Sequence, residues 1–318
     1  MVDLSLDQLD ALKEHHLLLE YDALCGQSES QPDFLKQNTA RNMFLLSMAL
    51  KVHVLLQRLG VKHCFLKGPV LAAKINQNLN LREMKDIDIL VPLDEAERVV
   101  KLLMDNMGAK IVGKYSVKQM LSWNHECVLD IDGLPLEVHW RASPAKTTFR
   151  GWELPNLKLE SVRLETSRNC LPVLPLKEDV SYLTYHGGKH QWYRLCWLLD
   201  WYRLLQKIDL ENSSDILCEV RLMKQQFLFS AALHLVARFG CHVDEWQKLL
   251  ARSELKAGAE LADCVCERWE LVASHNKPVR QSAFESLVWT MKFQPYFHQK
   301  IHLGWHYMKN GLIKRMPG

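Results

Sequence analysis

The stretch from Leu66 to Pro92 reads LKGPVLAAKINQNLNLREMKDIDILVP. It continues a short strand-like run, Val61 to Leu66. Gly68 permits a tight turn and Pro69 suits the first helical position, so a helix is predicted from Pro69 to about Gln77. Asp86 to Val91 alternates polar and apolar residues and then turns apolar, as a strand does. Strand, turn, helix and strand in this order predict a small sheet with embedded helices.

The chemistry of the same stretch lies in its acids and glycine. Residues two apart in a strand share a face, so Asp86 and Asp88 are expected to project side by side. Paired carboxylates at that spacing can hold divalent cations, and hard cations such as Mg²⁺ or Mn²⁺ take oxygen ligands. Such a site can neutralise a triphosphate and activate an attacking oxygen. The Gly68 turn leaves backbone N–H groups uncovered, the following helix start favours phosphate, and Lys67 and Arg82 are nearby cations. A second D-x-D, Asp130-Ile131-Asp132, is better read as entry into a turn.

Downstream, Asp94 and Glu97 suggest a capping box for a helix ending at Gly108, and Ile111-Val112 is an apolar pair of undecided type. From His125 to Trp140 two apolar-alternating runs flank Asp132-Gly133, a strong hairpin signal. A two-residue turn there sets Val128 opposite Glu137 and Glu126 opposite His139. Glu137 is thus the candidate third carboxylate, binding metal and accepting a proton, with His139 beside it to support the metal ligands or contact phosphate, and Glu126 in reserve. Residues 142–176 carry prolines at 144, 155, 172 and 175 and read as an irregular connection.

Upstream, Ser5 and Gln8 mark a helix start, Cys25 to Asp33 reads as a loop, and Phe34 to Leu59 as a long helix stopped by Gly60. From Lys177 the period is helical throughout. The predicted fold class is therefore α+β, a small mixed sheet with flanking helices and then a largely helical C-terminal domain. The expected divisions are N-terminal helices at 1–60, a catalytic core at 61–141, the connection at 142–176 and the helical domain at 177–318.

The 318 residues are 48% hydrophobic and 24% charged, which excludes a disordered or collagen-like chain. Forty Lys+Arg against 37 Asp+Glu give a net charge of only +3, which disfavours a dedicated nucleic-acid-coating protein. The nine cysteines form no C-x-x-C pair, so neither zinc finger nor disulfide framework is expected, and reduced thiols point to the cytoplasm. No apolar run approaches membrane-spanning length, and the acidic N-terminus is unlike a secretory signal. P-loop, dinucleotide and nucleophile-elbow motifs are absent.

Leu66-Lys67-Gly68, Arg82, Asp86-Ile87-Asp88-Ile89-Leu90-Val91 and Glu137-Val138-His139-Trp140 together resemble the uncharacterised nucleotidyltransferase family of the DNA polymerase β-like superfamily. The resemblance continues through His186-Gly187-Gly188-Lys189-His190-Gln191-Trp192, Leu195 and Asp200, covering about residues 40–205. Two positions depart from the superfamily pattern: Lys67-Gly68-Pro69 replaces its usual G-[GS] turn, and Glu137 its third Asp. The resemblance implies transfer of a nucleoside monophosphate from an NTP to an acceptor, releasing pyrophosphate. Asp86 and Asp88 would bridge the metals and Glu137 hold the catalytic one, with Lys67, Gly68 and Arg82 handling phosphates. His186, Lys189 and His190 would close over triphosphate or acceptor. The acceptor stays open among RNA, a protein and a small molecule. A catalytically silent nucleotide- or partner-binding protein and a phosphotransferase using the same metals are the rival readings.

In the helical region, Trp192, Trp197 and Trp201 at helical spacing predict core packing over base stacking. After Glu285 there is no acid, while Lys292, Lys300, Lys309, Lys314 and Arg315 alternate with aromatics, a pattern suited to polyanion contact. His298, His302 and His306 share one helix face, where three ligands seldom converge.

Overall fold

The computed structural model describes residues 32–75, 78–144, 152–164 and 169–275, with single positions 17, 149, 288, 289 and 292. The helix expected at Ser5, the basic aromatic stretch beyond Lys292 and the three C-terminal histidines lie outside the described residues. The residues from 32 to 175 form one compact unit and those from Leu176 another.

The first unit opens with α1 (Pro32–Arg58), close to the predicted span. It buries Leu45, Met48, Ala49, Val52 and Leu56, a stripe at three- and four-residue steps that faces the core. Gly60 ends it with φ +69. Next come β1 (Cys64–Phe65), α2 (Gly68–Lys74) and β2 (Ile87–Leu90), the order read from the sequence. The chain then adds α3 (Ala96–Met107), β3 (Lys110–Ile111) and α4 (Val117–Trp123) before the hairpin of β4 (Glu126–Ile131) and β5 (Leu134–His139). Finally come β6 (Glu160–Arg163) and β7 (Cys170–Val173).

Seven strands form one mixed sheet in the order β3-β4-β5-β2-β1-β7-β6. β2 runs parallel to β5 and antiparallel to β1, while β7 is parallel to β1. Ile87, Ile89, Leu129, Leu136 and Val138 are fully buried beneath α1 and α3 residues of the same core. Asp132 and Gly133 both have positive φ, the twist-matched hairpin turn. The register pairs Glu126 with His139 and Val128 with Glu137, as the Asp-Gly turn predicts.

Three readings change. The proline-bearing stretch 142–176 was expected to be irregular, yet it supplies β6 and β7, joined to the sheet by Phe65 opposite Val173. The Asp94–Glu97 capping box does not form; α3 starts after Glu95 with no side-chain cap. The undecided pair near Ile111 is an edge strand against β4.

The second unit is helical: α5 (Leu176–Lys189), α6 (Leu195–Leu205), α7 (Ser213–Leu222), α8 (Gln226–Arg238), α9 (Asp244–Lys248) and α10 (Arg252–His275). Trp192, Trp201 and Phe229 are fully buried and meet edge to face, with ring centroids 6.3 and 5.3 Å apart. Trp201 Nε1 donates to Thr184 Oγ1 at 2.8 Å, so the indole dipole is satisfied inside the core. Gly187 is obligatory here, because a Cβ would fall 1.8 Å from the Trp192 ring. No helix among the described residues is long and apolar enough to cross a membrane, and the eight cysteines among them are free thiols.

Candidate metal and phosphate site

β2 and β5 run in parallel register with Asp88 beside Glu137 and Leu90 beside His139. Side chains two apart share a face, so Asp88, Glu137 and His139 project together. β4 completes the face by placing Glu126 opposite His139.

Asp88 is wholly buried, and its Oδ1 is engaged twice, by Lys67 Nζ at 2.9 Å and by His139 Nε2 at 3.1 Å. His139 Nε2 also lies 3.3 Å from Glu137 Oε2. Its other nitrogen, Nδ1, lies 3.3 Å from Glu126 Oε2, which His125 Nε2 approaches to 3.2 Å. Burial pushes the Glu137 carboxyl up, but the bond to His139 and the fields of His139 and Lys67 outweigh this and hold it below the usual range. Burial works against charge on His139 too, yet bonds to Asp88 and Glu137 and the field of Glu126 raise its pKa to about 9.

The donor set suits a divalent cation. Among the described residues, Asp88, Glu137 and His139 offer ligand atoms within 4.8 Å of one another, as do His125, Glu126 and His139. Asp88 Oδ2 is buried without a hydrogen-bond partner, a costly state for a carboxylate oxygen that metal coordination would relieve.

The remaining predicted residues take different places. Asp86 is half-buried just before β2 and belongs to neither trio. Its carbonyl oxygen lies 3.0 Å from where a Gly68 Cβ would stand, and Gly68 has φ +66, so only glycine fits this close approach. Arg82 is buried and its Nη1 donates to the Glu83 carbonyl at 2.9 Å. His186 and Lys189 lie on α5 and His190 in the turn just after it, in the second unit. There the rings of His186 and His190 sit 5.1 Å apart, and both pack against Trp197, over which Arg194 lies.

One residue and one pair carried no site-shaping role in the sequence. His125 joins Glu126 and His139 from just before β4, although strand alternation alone would set neighbours His125 and Glu126 on opposite faces. Asn38 and Asn42, buried on α1, donate to the loop that leads into Asp86. Asn38 Nδ2 reaches Asn80 O at 2.7 Å, and Asn42 Nδ2 reaches the carbonyls of Leu79 and Arg82, both at 2.6 Å. Their signal was two asparagines one turn apart inside a long helix, where such residues are unfavourable without a partner.

No curated protein sequence matches the chain. Among solved structures, the solution structure of the antibiotic-resistance factor ANT(2'')-Ia is similar at 10% identity and a TM-score of 0.39, covering 58% of this chain and 92% of that one. A tRNA-processing enzyme in its apo form is similar at 13% identity and a TM-score of 0.29, covering 85% of this chain and 79% of that one. The family model of an uncharacterised nucleotidyltransferase matches residues 32–240, well over half the length, and the chain belongs to that family.

Proposed function

We propose that the protein transfers a nucleoside monophosphate from an NTP to an acceptor in a divalent-metal-dependent reaction that releases pyrophosphate. The observation that carries this reading is the buried Asp88 carboxylate, fixed through Oδ1 and unpartnered at Oδ2, beside Glu137 on the neighbouring strand. Asp88, Asp86 and Glu137 would hold Mg²⁺ or Mn²⁺. When bound, the ion neutralises triphosphate charge and acidifies the acceptor hydroxyl.

The chain's own groups do the rest. Lys67 and His139 orient the Asp88 carboxylate. Glu137, kept ionised by His139 and Lys67, accepts the acceptor's proton. The Gly68 turn packs against the Asp86 carbonyl and so couples the turn, Lys67 and the acidic pair. Lys67 and Arg82 serve the phosphate end. For His186, Lys189 and His190 we assign a phosphate role from their charge and close spacing at the C-terminal end of α5.

The experiment is pyrophosphate release with each NTP and Mg²⁺ against pools of RNA, protein and small-molecule acceptors, with product masses read. Asp86→Ala combined with Asp88→Ala abolishes the activity, and the product carries a nucleoside monophosphate. Unchanged turnover in the double variant, or a product heavier by one phosphoryl group only, sinks the assignment.

A further inference from the structure

The open end of the β4–β5 hairpin holds a second convergence of ligands, made by His125, Glu126 and His139. His125 and His139 are buried, and Glu126 is 26% exposed, which gives the cluster a route to solvent.

The proton positions follow from neighbouring acceptors. Asn124 Nδ2 donates to the Glu126 carbonyl at 2.9 Å, so its Oδ1 is the atom facing His125 Nδ1 at 3.1 Å. A carbonyl oxygen only accepts, so His125 Nδ1 carries hydrogen and, in the neutral ring, Nε2 carries the lone pair. That lone pair faces Glu126 Oε2 at 3.2 Å. His139 Nε2–H donates to Asp88 Oδ1, which leaves Nδ1 as the nitrogen aimed into the cluster. His139 Nδ1 is buried, has no hydrogen-bond partner, and lies 3.3 Å from the same Glu126 oxygen. Two imidazole nitrogens and a carboxylate oxygen thus converge within 4.8 Å of one another, and a divalent cation there would supply the positive charge that the His139 proton supplies in metal-free protein.

We propose that His125 Nε2, His139 Nδ1 and Glu126 form a second metal site, selective for a borderline transition-metal cation of the Zn²⁺, Ni²⁺ or Fe²⁺ class. Two imidazoles and one carboxylate suit such ions better than Mg²⁺, which prefers oxygen. Asp88 would then stand behind a ligating histidine and receive its other N–H, an arrangement that fixes the tautomer and strengthens the ligand. The two oxygens of Asp88 divide the work: Oδ1 orients His139 for this site, and Oδ2 is left for the acidic site of the proposed transfer. The second site therefore sets the orientation of Asp88 from behind and is present whether or not transfer occurs.

The test uses the purified full chain, stripped of metal and titrated with Co²⁺ alone, without nucleotide. Ligand-field absorption should saturate at one equivalent without sulfur-to-metal charge transfer, and pulsed EPR of that sample should show couplings from two imidazole nitrogens. One nitrogen would put the ion on Asp88, Glu137 and His139, none would put it on the acids alone, and thiolate charge transfer would put it on cysteine. Each of these overturns the proposal, and the wild-type measurement does not depend on any variant folding. His125→Gln and Glu126→Gln should each weaken Co²⁺ at least tenfold, and Asp86→Ala should leave the affinity within twofold. The reverse pattern overturns the site. A silent transfer assay with two nitrogens bound would overturn the proposed activity and leave this site standing.

Discussion

Asp88 and His139 lie 51 residues apart in sequence and meet through one hydrogen bond, His139 Nε2 to Asp88 Oδ1 at 3.1 Å. The same oxygen receives Lys67 Nζ at 2.9 Å, so a carboxylate with no exposed surface is compensated by two basic side chains. Removing one member of a buried ion pair leaves an uncompensated charge, at a cost of about 3 kcal/mol. Lys67→Met should lose stability on that scale in metal-free protein, and Mg²⁺ should restore more of it than it adds to wild type. Urea midpoints with and without Mg²⁺ check this. An equal Mg²⁺ increment in both proteins would show that Lys67 does not stand in for metal charge.

Two buried histidines should bend the pH–stability curve in opposite directions. The ordinary value for both is 6.5. His139 is raised to about 9, so the stability it contributes is complete below pH 6.5 and is lost as pH rises through 9. His63 Nδ1–H donates to Val61 O, and its Nε2 accepts from His53 Nδ1, both at 2.9 Å. Burial, with help from His53, outweighs the Val61 bond and pushes His63 down to about 4. Its contribution is complete above pH 6.5 and is lost as pH falls through 4. Metal-free protein should therefore be most stable near pH 6.5. His139→Gln should flatten the alkaline limb and His63→Gln the acid limb, as denaturation midpoints across pH would record. A limb unchanged by its variant removes that histidine as its cause.

Gly68→Ala tests the coupling between turn and acids. A residue other than glycine at φ +66 is strained by about 1 kcal/mol, and its Cβ would press on the Asp86 carbonyl. Because that contact moves Asp86, kcat/KM should fall at least tenfold while the stability loss stays near the strain alone. A loss of stability with unchanged kcat/KM would separate the turn from the acidic site.

How legible all this was depended on how local the cause was. The Asp132-Gly133 turn sets its own register, so the pairing of Glu126 with His139 follows from a dipeptide and a count. Gly60 and Gly108 mark helix ends for the same local reason, both with φ near +66 to +69. β7 was hidden because Pro172 suppresses a strand signal within four residues, while the pairing that makes the strand, Phe65 with Val173, spans a long loop of chain. At α3 the cap pattern of Asp94 and Glu97 is satisfied on paper, but the turn from Pro92 starts the helix later, at Ala96. Ser116 and Gln119 form the true capping box, ahead of a helix too short to display a period. The site divided in the same way. Asp88, Glu137 and His139 were reachable from strand alternation, whereas Asp88's ion pair and the asparagine clamp are tertiary facts that no spacing contains.

That clamp supports the last prediction. Asn42 Nδ2 donates to the carbonyls of Leu79 and Arg82, both at 2.6 Å, and Asn38 Nδ2 gives the Arg82 carbonyl a longer bond of 3.3 Å. These carbonyls belong to the loop that delivers Asp86 to the site, and α1 holds that loop by donors alone. Asn42→Ala leaves a buried carbonyl unsatisfied and should cost about 1–3 kcal/mol. Asn42→Asp keeps the shape but replaces the donor with a carboxylate oxygen facing two carbonyl oxygens, so it should be the worse variant despite being nearly isosteric. It should also recover towards the alanine level as pH falls and the carboxyl protonates, because the protonated form can donate again. If the loop matters to the acids, both variants should lower kcat/KM for NTP in the same order as they lower stability. Equal stability for Asn42→Ala and Asn42→Asp at neutral pH would show that packing of the side chain, rather than its two donated bonds, holds the loop.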